Sequence, residues 1–335
     1  MALTLLDVAR NKKDSFESAV IETYADHCDI LKRLPLNTIG TTEVHQKRRN
    51  SATTLGFRRR GESYGSVSGG GTDIVSDAVY AMGGNIDIDY TDMHDKAPVV
   101  DPLTERIREG VEAAGWTFNN AFVNGDHGVD ADSFEGIKVR LAAGDQNQIV
   151  YGNSSSAELD VAAAITANTT ATLQTFLDKV EDAIYKCDGH TADVALTSAD
   201  FIRALKKAER RLNINKDTNP KEPSSMVNER RTSAPKYSGP LHTAFGVAWY
   251  DMGVKSDNTT QVIATETVNS QACRPVYFLK LGGGYLTGIQ QYAMRVTKPT
   301  LLDDNVTYRV TIDWPVGLRH VHPRSFSKLA GCKIA

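Results

Sequence analysis

Residues 101–124, DPLTERIREGVEAAGWTFNNAFVN, constrain this chain more than any other segment. They read as one long amphipathic helix. Asp101 suits the N-cap, Pro102 fits the first helical position, and Glu105 follows in the first turn. Leu103, Ile107, Val111, Ala114, Phe118 and Phe122 recur on one stripe, and Gly125 follows as a stop. About 23 residues at ~1.5 Å each make a rod ~35 Å long. A fold that contains it must be built around it as a spine, and the aromatic end of the stripe is expected against strands near Tyr308 to Trp314.

The stretch before the spine is unusual in a different way. Residues 43–95 carry a glycine run, Gly69, Gly70 and Gly71, flanked by short β-branched or alternating segments such as Ile86, Ile88 and Tyr90 with Asp87 and Asp89 between them. Alternation of that kind marks a half-exposed strand. The whole reads as one long β-hairpin with a glycine-rich tip. Arms of ~20 residues at ~3.3 Å each would project up to ~60 Å. A lone two-stranded hairpin is marginal in water, so such an arm is expected to rest on another subunit.

Its charges are segregated. Lys47, Arg48, Arg49, Arg58, Arg59 and Arg60 lie on the first arm, and Asp73, Asp77, Asp87, Asp89, Asp92 and Asp95 on the second. Pairing across the hairpin or between subunits accounts for both runs, whereas nucleic-acid binding accounts for only the first. A turn near Ser68 places Arg59 opposite Asp77, Arg49 opposite Asp87 and Lys47 opposite Asp89.

Composition bounds the rest. The 335 residues suggest about two domains. Lys and Arg total 38 against 41 Asp and Glu, a net charge of -3, which disfavours a dedicated nucleic-acid binder. A hydrophobic content of 41% can bury a core, and no apolar run approaches the ~20 residues of a membrane span. Cys28, Cys187, Cys273 and Cys332 are scattered, with no CxxC pair, which argues against a zinc ribbon or a disulfide-stapled domain. Arg10, Lys12 and Lys13 follow the N-terminal apolar patch, the wrong side for a signal peptide. The expectation is an intracellular, reduced protein in which the Asn-x-Thr triplets at Asn168, Asn258 and Asn305 are chance occurrences.

Other elements follow by pattern. Residues 14–34 predict a helix with Phe16, Val20, Tyr24, Cys28 and Leu31 at helical spacing, stopped by Pro35. Helices are predicted over 170–186 and 198–212, with a buried strand at 193–197 between them. Residues 213–240 form a polar loop region with Pro220, Pro223, Pro235 and Pro240, and the remainder is mainly β, including a strand-rich tail over 306–321.

No catalytic constellation emerges. The clusters Gly69–Gly71, Gly83–Gly84 and Gly282–Gly284 match neither phosphate-loop pattern, and YLTGIQQY after Gly284 reads as a strand rather than a helix. His320 and His322 could share one face of a strand, but a zinc site needs three or four ligands and no third is recognisable. Asp126 and His127 read as a turn, because no nucleophile accompanies them.

The order of these features resembles the major capsid protein of tailed bacteriophages, the Hong Kong 97-like fold. MALTLLDVARN and SFESAVIETYADHCDILKRLP look like its N-terminal arm, and the glycine-tipped hairpin looks like its extended E-loop. DPLTERIREGVEAAGWTFNNAFVNGD looks like its spine helix, and SFEGIKVRL like the turn after it. ADVALTSADFIRALKKAERR looks like the strand–helix unit of the axial domain. VTYRVTIDWPVGLRHVHPRSFSKLAG looks like the last peripheral strands and C-terminal segment.

The resemblance implies an α+β chain with an N-terminal arm at 1–42, an E-loop at 43–95, a peripheral domain at 96–145 and 302–335, and an axial domain at 146–301. It also implies a non-catalytic protein without cofactor or metal, assembling as hexamers and pentamers into an icosahedral shell around double-stranded DNA. Partners would be a separate scaffolding protein (the chain opens at the arm), a portal, decoration proteins, and DNA held weakly; no membrane is involved. The place of action would be the virion, assembled in host cytoplasm. No lysine lies between Lys47 and Lys96, so lysine crosslinking through the E-loop is expected to be absent. An encapsulin shell without a genome and, further off, a metal-dependent hydrolase are the competing readings.

Overall fold

The computed structural model describes residues 4–10, 15–28, 30–49, 55–65, 72–91, 102–143, 148–154, 157–212, 242–255, 257, 259–303 and 305–334. The glycine run 69–71, Asp92, Asp95 and the proline-rich region 213–240 lie outside them.

The spine forms as its pattern predicts, over Pro102–Asn124. Ile107, Val111, Phe118 and Phe122 are buried along it. The helix stops at Gly125 for a reason other than left-handed backbone. A Cβ at Gly125 would lie 2.4 Å from the Phe134 carbonyl oxygen, and the Gly136 N–H donates to the Gly125 carbonyl at 2.8 Å. Two glycines let the chain fold back against the helix end.

The spine's apolar face packs on a six-stranded sheet centred on the 14-residue strand Thr307–His320. One flank of that strand pairs antiparallel with Tyr80–Asp89. The other pairs successively with Thr300–Leu301, Arg295–Val296 and Leu286–Gln290, and Leu36–Thr38 joins beyond in parallel. Pro315 falls in the gap between two of those partners, after Asp313 (opposite Arg295) and before Val316 (opposite Gln290), so its missing N–H interrupts neither ladder on that flank. At Gly83 the partner strand comes so close that a Cβ would reach 2.0 Å from the Ile312 carbonyl oxygen. The predicted aromatic contact is present. Phe118 stacks on Trp314 at 5.6 Å between centroids, and Tyr24 meets the same indole edge-on at 5.8 Å.

Tyr24 comes from the N-terminal helix, Ser15–His27. The predicted helix over 14–34 is therefore shorter than expected. From Ile30 the chain runs in turns, with Leu34 N–H donating to Ile30 O, before Pro35. The apolar stripe still does its work, because Val20, Ile21, Tyr24, Cys28 and Leu31 are all buried. Cys28 Sγ donates to the Gly115 carbonyl of the spine at 3.1 Å.

A second six-stranded sheet runs in the order Ile149–Tyr151, Phe326–Ala330, Val276–Leu279, Val194–Thr197, Val247–Asp251, His242–Ala244. Helices Val161–Ala167, Thr170–Lys186 and Ala199–Arg211 pack with it. Its central strands are buried at every position because each face has its own core. Ala195, Val276, Phe278 and Leu329 point into the cluster of Phe176, Phe201 and Trp249. Their neighbours Val194, Leu196, Tyr277, Leu279 and Phe326 point into the cluster that holds the spine. The period-two alternation of the strand thus joins the two cores. Leu286–Gln290, from within 146–301, belongs to the first sheet, and Phe326–Ala330, from within 302–335, to the second.

Candidate assembly surfaces

The hairpin exists, but it is shorter than expected and differently registered. Glu43–Arg49 pairs antiparallel with Thr72–Ala78, placing Lys47 opposite Ile74, Arg48 opposite Asp73 and Arg49 opposite Thr72. The expected pairs of Arg59 with Asp77, Arg49 with Asp87 and Lys47 with Asp89 do not form. Beyond Val79, whose N–H donates to Thr42 O, the strand Tyr80–Asp89 leaves the hairpin for the ten-residue ladder with Thr307–His320. The alternation over 86–89 was a strand signal, as read, but its partner is the body. Ile88 is buried and needs a core, which a free hairpin cannot supply. Asp87 lies opposite Arg309 and accepts two hydrogen bonds from its guanidinium, Nε to Oδ1 and Nη2 to Oδ2, each at 2.7 Å.

Asp77 has the most constrained position of the charged residues singled out from sequence. It is buried at the hairpin root, 2% exposed. Arg140 Nη1 reaches its Oδ1 at 2.6 Å, while Gln46 Nε2 and the His320 backbone N–H donate to Oδ2 at 3.1 and 3.2 Å. Arg140 spends its other donors on the Leu318 and Glu135 carbonyls, at 3.1 and 2.9 Å. Arg319 Nε donates to Gln46 Oε1 at 3.3 Å. One buried ion pair thus ties the hairpin, the helix Ile137–Ala143 and the long strand together, with all three Arg140 nitrogens and both Asp77 oxygens hydrogen-bonded. Sequence reading gave Asp77 the wrong partner and missed Arg140, which sits in SFEGIKVRL with no local sign of its role.

Further out the hairpin is open to solvent. Lys47, Arg58, Arg59 and Arg60 are exposed. Arg58 lies over the Tyr64 ring at 4.9 Å and donates to Glu62 O, so its contacts stay within this segment. Leu55 and Phe57 precede the arginines in the chain, Phe57 being fully exposed, and Tyr64 and Ile74 are exposed as well. Large apolar side chains left exposed along one segment are a signal of a contact surface. The signal was present in sequence as LGF inside a polar stretch.

The histidine and glycine features resolve into structure. His320 is buried with its ring 4.4 Å from that of Phe326, whereas His322 stands in the following turn and its Nδ1 accepts from the Arg324 N–H. Among the described residues no group of three metal-ligating side chains converges. Gly282 adopts a φ of 141° in a tight turn, and Asp126 caps a turn by accepting from the Gly128 N–H. The four cysteines are free thiols, all buried. Burial pushes Cys332 up to about 12 and raises Cys187 and Cys273 as well.

No family model and no curated relative matches the chain. Solved structures do. The capsid of a native GTA particle superposes with a TM-score of 0.56 at 10% identity, covering 91% of this chain and 90% of that one. A structure of Mycobacterium phage Bobi gives 0.53 at 12% identity over 92% and 91%. The holo encapsulin complex of Synechococcus elongatus PCC 7942 gives 0.55 at 10% identity over 91% and 88%. Likeness across the whole length with so little shared sequence is likeness of fold, and this chain has the Hong Kong 97-like capsid fold.

Proposed function

We propose that this chain is the major capsid protein of a tailed phage, a structural protein that self-assembles into an icosahedral shell around double-stranded DNA. The observation that carries this is the hairpin. It is fastened to the body by a buried ion pair, yet it presents Leu55, Phe57 and three consecutive arginines to solvent. An arm built so firmly and left so bare is built for another copy. Lys47, Arg48, Arg49, Arg58, Arg59, Arg60, Gly69, Gly70, Gly71 and Asp73 are its contact residues in this reading, with Asp77 and Asp87 fixing it or its neighbouring strand from within.

The copies would form hexamers and pentamers with a scaffolding protein during assembly, a portal and decoration proteins as partners. The residue ranges given above would be its arm, E-loop, peripheral and axial domains. The net charge of -3 suits a lining that holds packaged DNA loosely. The likeness to phage capsids supports the reading; the likeness to an encapsulin favours a genome-free shell as the second. Expression with the scaffold gene and electron microscopy of the product test both. Closed shells are expected, and copurified DNA resistant to nuclease, obtained in a packaging host, separates phage capsid from encapsulin. A chain that stays monomeric at high concentration overturns both.

A further inference from the structure

The helix Ala199–Arg211 divides into two faces of opposite character. Phe201, Ile202, Leu205 and Ala208 are buried in the cluster that holds Trp249. Arg203, Lys207, Arg210 and Arg211 are exposed. At ~100° per residue these four fall within an arc of about 100°, in a stripe ~12 Å long. Little opposes them. Asp200 lies 4.0 Å from Arg203 and is shared with Arg274. Glu209, the other acid of the helix, is buried and bonded to His242. Arg211 donates to Asn168 Oδ1, a neutral partner, and Arg210 Nε donates to the Lys206 carbonyl of its own helix. The neighbouring helix Thr170–Lys186 exposes Asp178, Glu181 and Asp182 instead, with Lys179 paired to Asp182 at 3.0 Å. In a chain of net charge -3, positive charge is thus gathered on one side of one helix.

What the stripe lacks decides its partner. No large apolar side chain of this helix is exposed, and a stable protein interface needs an apolar, desolvated centre inside its polar rim. No aromatic ring stands among the four cations for an unpaired base to stack on, as single strands require. Long cations alone are the equipment for phosphate contacts, which hold a nucleic acid without reading its sequence. We infer that the Arg203–Lys207–Arg210–Arg211 face binds the phosphate backbone of double-helical DNA, which carries about one negative charge per 1.7 Å of axis. The inference deepens the shell reading above by naming where the chain would touch a genome, and it rests on that reading for this role only.

Anisotropy of a labelled DNA duplex titrated with the unassembled full chain tests it. Four phosphate contacts predict that log K falls against log salt with a slope of about -3.6, a loss of about a hundredfold between about 50 and 200 mM salt. Two duplexes of unrelated sequence should bind alike. Arg203→Gln with Lys207→Gln and Arg210→Gln spares the Arg211 bond to Asn168. This variant should melt like the parent, bind about tenfold or more weakly at low salt, and show a slope of about -1. Arg203→Lys with Lys207→Arg and Arg210→Lys conserves the charge and should bind like the parent, which separates charge from folding. Arg106→Gln with Arg108→Gln and Lys138→Gln removes as much exposed charge elsewhere and should leave the affinity unchanged.

Equal losses from the two glutamine triples overturn the site, as does poly-L-glutamate bound as tightly as the duplex. A helix variant that binds DNA normally but self-associates poorly also overturns it, and hands the face to the Asp178, Glu181 and Asp182 surface of another copy. Shells that close from a chain with no affinity for DNA remove the site and leave the shell reading standing. A chain that binds duplex as expected yet never closes shells keeps the site and removes the shell reading.

Discussion

Arg140 Nη1 stands 2.6 Å from Asp77 Oδ1 with both side chains buried, and this pair holds the root of the hairpin to the body. Removing one partner of such a pair leaves an uncompensated buried charge, at a cost of ~3–5 kcal/mol. Arg140→Met should lower the free energy of unfolding by that much in a denaturant titration, and Asp77→Asn should lower it measurably as well. An Arg140→Met chain as stable as the parent would remove the pair's structural role. The exchange Arg59→Asp with Asp77→Arg should not rescue Asp77→Arg, because Arg59 is exposed and is not opposite Asp77. Recovery would restore the register read from the sequence.

Phe118 is completely buried between Trp314, Phe122 and Phe134. Truncating a core aromatic costs ~3–5 kcal/mol. Phe118→Ala should therefore yield insoluble or unassembled protein, and Phe118→Leu should keep part of the loss back. Normal particle yield and melting temperature from the alanine variant would contradict the packing of the spine on the long strand.

Asp160 caps the helix Val161–Ala167, its Oδ1 accepting from the Ala163 N–H at 2.8 Å, and Lys333 pairs with its Oδ2 at 3.1 Å. The Ala163 N–H, then Lys333, holds the carboxyl below its ordinary range against the opposing pull of burial. A depressed folded pKa means the contribution is present above the unfolded value, near ~3.9, and is lost as pH falls through the folded one. Asp160→Ala should cost ~1 kcal/mol at neutral pH, and the gap between variant and parent should close in strong acid. A gap that persists there would assign the effect to packing.

The thiols give a chemical test. Cys187, Cys273 and Cys332 are all pushed upward by burial, so at neutral pH they are protonated as well as inaccessible. Native protein should resist iodoacetamide at all four cysteines and take up four equivalents on unfolding, as read by mass spectrometry. Denaturing gels of assembled particles should show monomer alone; a ladder that survives reductant would reveal a crosslink that does not involve these cysteines.

What was legible in the sequence was whatever local pattern alone decides. The spine, the helices over 170–186 and 199–211, and the buried strand at 194–197 follow from periodicity and caps, and they stand within a residue or two of their predicted limits. The hairpin register was not legible. Asp73, Asp77, Asp87 and Asp89 form one acidic run in sequence, but Asp77 turns into the core toward Arg140, 63 residues away, and Asp87 toward Arg309, 222 residues away. Charge pattern along one hairpin carries no information about partners that distant. The burial of Ile88 was the better clue, since it demanded a core rather than an arm.

One strip of chain, residues 72–89, serves both the hairpin and the body sheet, interrupted only at Val79. A pull along that strip is therefore delivered to ten residue pairs, from Tyr80 opposite Val316 to Asp89 opposite Thr307, in shear. Backbone bonds loaded in shear share tension and break together, whereas bonds peeled from one end break in turn. In the proposed shell, a pull that parts neighbouring copies would load an arm rooted this way like a tendon, and the first thing to yield should be the contact at its far end.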